Sequence, residues 1–170
     1  VTVLREGLRH HSWATDKLLE RCSSLSEEEL TRHIPAIYGS TLETARHLVD
    51  ADDWYLCCIS EGEIGDGDLD ADEMSLSDVR AVASRNAAGW EEILQRDLDP
   101  DRSIAVTHKD GSVTHATIGI RLAQVLHHGS DHRSQICTAL TILGHRPPEF
   151  DVWAYGETVG LTREDEPSGA

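Results

Sequence analysis

Taken at alternating intervals of three and four, residues 118–143 pick out Ile118, Leu122, Val125, Gly129, His132, Ile136, Ala139 and Leu143. Such a stripe repeats with the 3.6-residue period of an α-helix, where a strand would bury every second residue. Three more stretches carry the same period. From Val3 to about Cys22 it runs through Leu4, Leu8, His11, Leu18 and Cys22. A second helix, capped by Ser40 or Thr41, turns Thr44, His47, Ala51, Trp54 and Cys58 inward. The third, capped by Ser75 or Ser77, continues to about Arg96 with Val79, Val82, Ala83, Asn86, Trp90, Ile93 and Leu94 inward. Four long amphipathic segments predict an all-α chain folded as a four-helix bundle.

The segments between them are punctuated. Ser26 with Glu29 three residues on is a capping-box signature for a short helical turn, and Pro35 and Gly39 break the chain after it. Residues 60–75 are rich in Gly and acid. Asp66, Asp68, Asp70 and Asp72 alternate there, but a calcium loop needs Gly at its sixth position and Glu at its twelfth, where this chain has Ala71 and Ser77. A solvated acidic linker is expected instead. Pro100 ends the third helix. Residues 103–108 and 113–116 then alternate around a Lys109-Asp110-Gly111-Ser112 turn, which predicts a small β-hairpin inserted before the last helix. Gly144, Pro147 and Pro148 close that helix, and Phe150, Val152, Trp153 and Tyr155 are expected to pack back on the bundle. The predicted organisation is one helical domain over 1–155 and an acidic, flexible tail over 156–170.

His128 and His132 stand four apart, which on a helix places both rings on one face about 40° apart. Inward imidazoles are either hydrogen-bonded core groups or metal ligands, because an unpartnered buried ring costs a few kcal/mol. Gly129 occupies the place of the general-base Glu in a protease-type H-E-x-x-H, so that chemistry is excluded. Bundles build metal sites from residues on facing helices. His47, inward on the second helix, is therefore the natural third ligand.

Net charge bounds the partners. At −16, with two lysines among fifteen basic residues, the chain repels phosphate backbones and anionic lipid, so neither nucleic acid nor a membrane surface is an expected partner. The acidity also suggests adaptation to high salt. No apolar run approaches a membrane span, and the first residues lack the basic-then-apolar layout of a signal peptide, so a cytoplasmic location is expected. The four cysteines include no C-x-x-C and all lie in helical segments; buried free thiols are expected.

Three segments in order, HHSWATDKLLERCSSLSEEEL, STLETARHLVDADDWYL and HHGSDHRSQI, resemble the DinB-like bundle superfamily, which also holds thiol-dependent S-transferases and the mycothiol-dependent maleylpyruvate isomerase. The resemblance covers nearly the whole chain and rests on the fourth-helix H-x-x-x-H-R-x-Q with the second-helix His. It implies a divalent metal held by His47, His128 and His132, and pairing into a homodimer through an apolar stripe left on an outer helix. Many members carry a second His directly before the last ligand, where this chain has Asp131, a carboxylate that could brace a ring nitrogen.

Three imidazoles leave at least one coordination position open. A thiol bound there gives up its proton readily. The resemblance thus implies a metal-dependent transferase that uses a low-molecular-weight thiol on an electrophilic small molecule, with Zn²⁺ or Ni²⁺ as the ion. A metal-dependent hydrolase and a non-catalytic bundle whose metal ties two helices are the alternatives. Asp131 and Arg133 are the candidate catalytic residues, Arg133 being equally suited to an ordinary salt bridge. Asp50 and Asp53 are expected as solvated helix-face charges, and Trp54 and Trp90 as core or pocket residues.

Overall fold

Serines set the helix starts. In the computed structural model, which describes residues 2–164, Ser26, Ser40 and Ser75 each close a capping box with the acidic residue three positions on. Each box satisfies two backbone N–H groups that a helix start otherwise leaves open. The helices so placed are α2 (Glu27–Thr31), α3 (Thr41–Ile59) and α4 (Leu76–Ile93), after α1 (Thr2–Cys22). A single 3₁₀ turn, Ala71–Glu73, precedes α4. Strands β1 (Ser103–Thr107) and β2 (Val113–Thr117) pair antiparallel, Ser103 opposite Thr117 and Thr107 opposite Val113. The hairpin runs directly into α5 (Ile118–Ile142), whose first turn is capped by the Thr117 hydroxyl. A short α6 (Val152–Thr158) comes last.

The architecture is the expected helical bundle with a hairpin before its last long helix. Two differences have local causes. The third helix ends at Ile93 rather than near Arg96, because Gln95 and Arg96 donate to Glu92 and Ile93 and so tighten the chain into a turn. Of the four residues expected to pack after Pro148, Tyr155 is buried and Phe150 half-buried, while Val152 and Trp153 stay exposed on the outer face of α6. Residues 156–164 of the expected tail hold the end of α6 and a return in which Leu161 donates to the Gly156 carbonyl at 2.7 Å. Residues 165–170 lie outside the described residues.

The core divides into two apolar clusters. One gathers Leu18, Leu19, Ala45, Val49, Ile136 and Leu140; the other gathers Leu8, Leu56, Trp90, Ile118, Leu122 and Val125. Along α1, α3 and α5 the buried polar residues His11, Asp52 and Arg133 fall between the members of the two clusters. A polar layer therefore crosses the middle of the bundle. Asp53 corrects the sequence expectation. It is fully buried rather than solvated, accepting from the Asp66 and Gly67 amides at 2.8 and 2.9 Å and from Arg85 at 2.7 Å. This carboxylate folds the acidic 60s segment back onto α3. All four cysteines are free, Cys22 and Cys58 buried and Cys57 and Cys137 half-buried.

Candidate metal centre

His47 on α3 and His128 and His132 on α5 converge at the level of the polar layer. One ring nitrogen from each lies within 4.8 Å of those of the other two, and the Nε2 atoms of His47 and His128 are 3.1 Å apart. Nitrogens on a first-row divalent ion lie ~2.0–2.1 Å from it, so neighbouring ligands stand about 2.9 to 3.4 Å apart in octahedral or tetrahedral arrangement. The His47–His128 pair falls inside that range. With the third nitrogen within 4.8 Å of both, three imidazole donors stand together where a divalent transition metal could be held.

Electrostatics keep the rings ready. Burial, reinforced by the neighbouring His132 and His47, pushes His128 down to about 4, and burial also lowers His132. Both are neutral at pH 7, with lone pairs free to coordinate. The tautomer of His132 is set by Gln135. The Gln135 Oε1 already accepts the Tyr38 amide at 3.1 Å and lies 3.3 Å from His132 Nδ1, so Nδ1 carries the proton and the Nε2 lone pair is left free. Tyr38 also stacks on the His47 ring, 4.5 Å between centroids and 19° from parallel. One glutamine thus ties the α2–α3 loop to a ring of the cluster. It performs the bracing expected of Asp131, which is exposed and makes no hydrogen bond to a ring of the cluster.

Arg133 faces the other way. It is buried between α5 and α1, its Nη1 3.0 Å from His11 Nδ1 and 3.2 Å from Thr15 Oγ1. Because a guanidinium only donates, His11 Nδ1 accepts and its Nε2–H donates to the Asp52 carboxylate at 2.9 Å. The Trp90 indole N–H adds a bond of 3.2 Å to the same carboxylate. Arg133 is thus neither a surface salt-bridge partner nor a group at the histidine cluster. It belongs to the layer that joins α1, α3, α4 and α5. Gly129 makes this possible: a Cβ there would lie 2.3 Å from His11 Cε1.

Two cavities meet at the cluster. One of about 400 Å³ is lined by Tyr38, Glu43, Arg46, His47, Asp50 and Asp72. Another of about 880 Å³ runs from His47, Asp50 and His128 past Trp54 to His108 and Lys109 on the hairpin. Asp50 is accordingly half-buried at the junction, and burial raises its carboxyl. Trp54 lines the larger cavity, whereas Trp90 is core.

Four features of this site escaped the sequence expectation: the Tyr38 stack, the Asp52–His11–Arg133 chain, the buried Asp53 and the hairpin wall. The spacing Gln135 minus His132, three residues on a helix, was the one available signal for the brace. Among the described residues no helix is long and apolar enough to cross a membrane. A comparison with curated proteins finds no match. The family model described as DinB family matches residues 2–166, and with nearly the whole chain matched the protein belongs to the DinB family.

Proposed function

We propose that this protein is a divalent-metal-dependent transferase, which joins a low-molecular-weight thiol to an electrophilic small molecule at His47, His128 and His132, with zinc or nickel as the ion. The observation that carries this reading is the convergence of three imidazoles, two of them held neutral, on the seam between two cavities. His47 and Asp50 line both cavities, which leaves room beside the cluster for two substrates. When bound, a divalent ion supplies the positive charge that lets a small thiol lose its proton near neutral pH.

The chain's own cysteines do not offer that nucleophile. Burial pushes Cys22 up to about 12 and Cys58 and Cys137 up to about 11, and raises Cys57. None lines either of the two cavities at the cluster. An external thiol is therefore the sulfur donor. Its S–H proton is lost, its sulfur forms a bond to the electrophilic carbon, and the displaced group leaves with the bonding pair and takes up a proton. Gln135 holds His132 in one tautomer throughout, and Tyr38 shields the face of His47 from water.

Elemental analysis of the wild type and His132→Ala, both purified without added metal or a histidine tag, is the first test. About one equivalent of transition metal in the wild type and none in the variant is expected. Cobalt-substituted protein titrated with small thiols is the second, and a spectrum unmoved by every thiol overturns the transferase reading.

A further inference from the structure

Arg46 brings an unpaired charge into the smaller cavity. It stands on α3 beside His47, half-buried, and its Nε–H donates to the Met74 carbonyl at 2.7 Å. That bond holds the guanidinium at the turn before α4. It forms no ion pair with Glu43 or Asp50, although these lie three residues before and four after it on the same helix. Among the described residues neither terminal nitrogen of Arg46 has a hydrogen-bond or ion-pair partner. Asp50 and Asp72 line the same cavity and likewise accept no hydrogen bond and join no ion pair among the described residues. Glu43 is engaged, its carboxylate closing the α3 capping box on the Ser40 amide at 2.7 Å. Three ionic groups of both signs therefore share one cavity without pairing with one another.

We propose that the smaller cavity takes the head of the thiol and that this head is a zwitterionic α-amino acid group, its carboxylate on the Arg46 guanidinium and its ammonium on Asp50 and Asp72. The proposal rests on the transferase reading and names the class of its sulfur donor, an amino-acid thiol. Net charge alone does not choose the ligand. A divalent ion on the histidines and Arg46 together balance the carboxylates of Glu43, Asp50 and Asp72, so the surroundings are formally neutral. Pairing chooses instead. A guanidinium anchored through Nε keeps its terminal nitrogens for a carboxylate, and carboxylates without donors favour an ammonium, which only donates. The cavity, about 400 Å³, has room for a cysteine-sized molecule, and His47 on the same wall leaves the sulfur end beside the cluster.

The probes are L-cysteine, cysteamine, which lacks the carboxylate, and 3-mercaptopropionate, which lacks the amine, each titrated by calorimetry into the metal-loaded protein. L-Cysteine should bind about tenfold more tightly than either, as for one added charge-assisted contact. Arg46→Gln should bring L-cysteine down to the level of cysteamine and leave cysteamine unchanged, which also shows that the variant keeps its site. Asp50→Asn should weaken L-cysteine relative to 3-mercaptopropionate. Equal affinity of the wild type for L-cysteine and cysteamine, or an equal loss of both in Arg46→Gln, overturns the proposal. S-Methyl-L-cysteine, which has the same head and no thiol, separates the two readings. If it binds the wild type and loses about tenfold in Arg46→Gln while no thiol moves the cobalt spectrum, the head site stands and the transferase falls. If thiols move the spectrum and L-cysteine has no advantage over cysteamine, the transferase stands and the amino-acid head falls.

Discussion

At Gly129 the α5 backbone passes so close to His11 that a side chain has no room. Gly129→Ala must push the His11 ring off Asp52 or shift the helix, and overpacking of this kind costs roughly 1–3 kcal/mol. Urea unfolding should show that loss, although alanine is the better helix former. Asp53 is the second sensitive residue. Asp53→Ala removes the acceptor of two loop amides and of Arg85. A loss of about 2–3 kcal/mol is expected, mostly from N–H groups left without partners. These two positions show what residue spacing conveys and what it does not. The His128/His132 pair is legible because both lie on one helix, four apart. Asp53 reads as one more acid on an acidic surface, since its partners come from a loop whose path no local pattern specifies.

Among the helices, α2 carries the clearest pH dependence. Glu29 accepts from His145 Nε2 at 2.9 Å and from the Ser26 amide at 2.8 Å, and these bonds, His145 first, hold its carboxyl down at about 2. The unfolded chain binds this proton nearer 4.5, so the stabilisation is complete above about pH 4.5 and is lost as pH falls toward 2. Glu29→Gln should flatten the melting temperature against pH across that window. The long helices make a different prediction. Both apolar clusters close without the histidine rings, so a chelator should remove the metal and leave far-UV circular dichroism unchanged. A metal that only tied α3 to α5 would instead take several kcal/mol of stability with it. Starts of elements were legible because serine caps are local chemistry. The end of α4 was not, because it depends on when the chain must turn toward the hairpin.

The whole molecule is dominated by its charge of −16. Self-repulsion on this scale is relieved by counterions, so the melting temperature should rise between low and multimolar salt. A flat response would remove the idea of high-salt adaptation. Fold class was readable from periodicity alone, since four stripes of one period leave few ways to pack. The site was only half readable. His47 needed to be placed opposite α5, and that register depends on which polar residues meet in the interior, a pairing between helices that no single helix reveals.

The polar layer fixes that register. A helix sliding by one turn, ~5.4 Å, would leave Asp52 or Arg133 buried without its partner, at a cost of roughly 3–5 kcal/mol. Slipped packings that satisfy the apolar stripes equally well are thereby excluded. The bundle works as a keyed lock: once Asp52, His11 and Arg133 have found one another, the three imidazoles are already aligned. The convergence of His47, His128 and His132 is thus a consequence of how the helices pack.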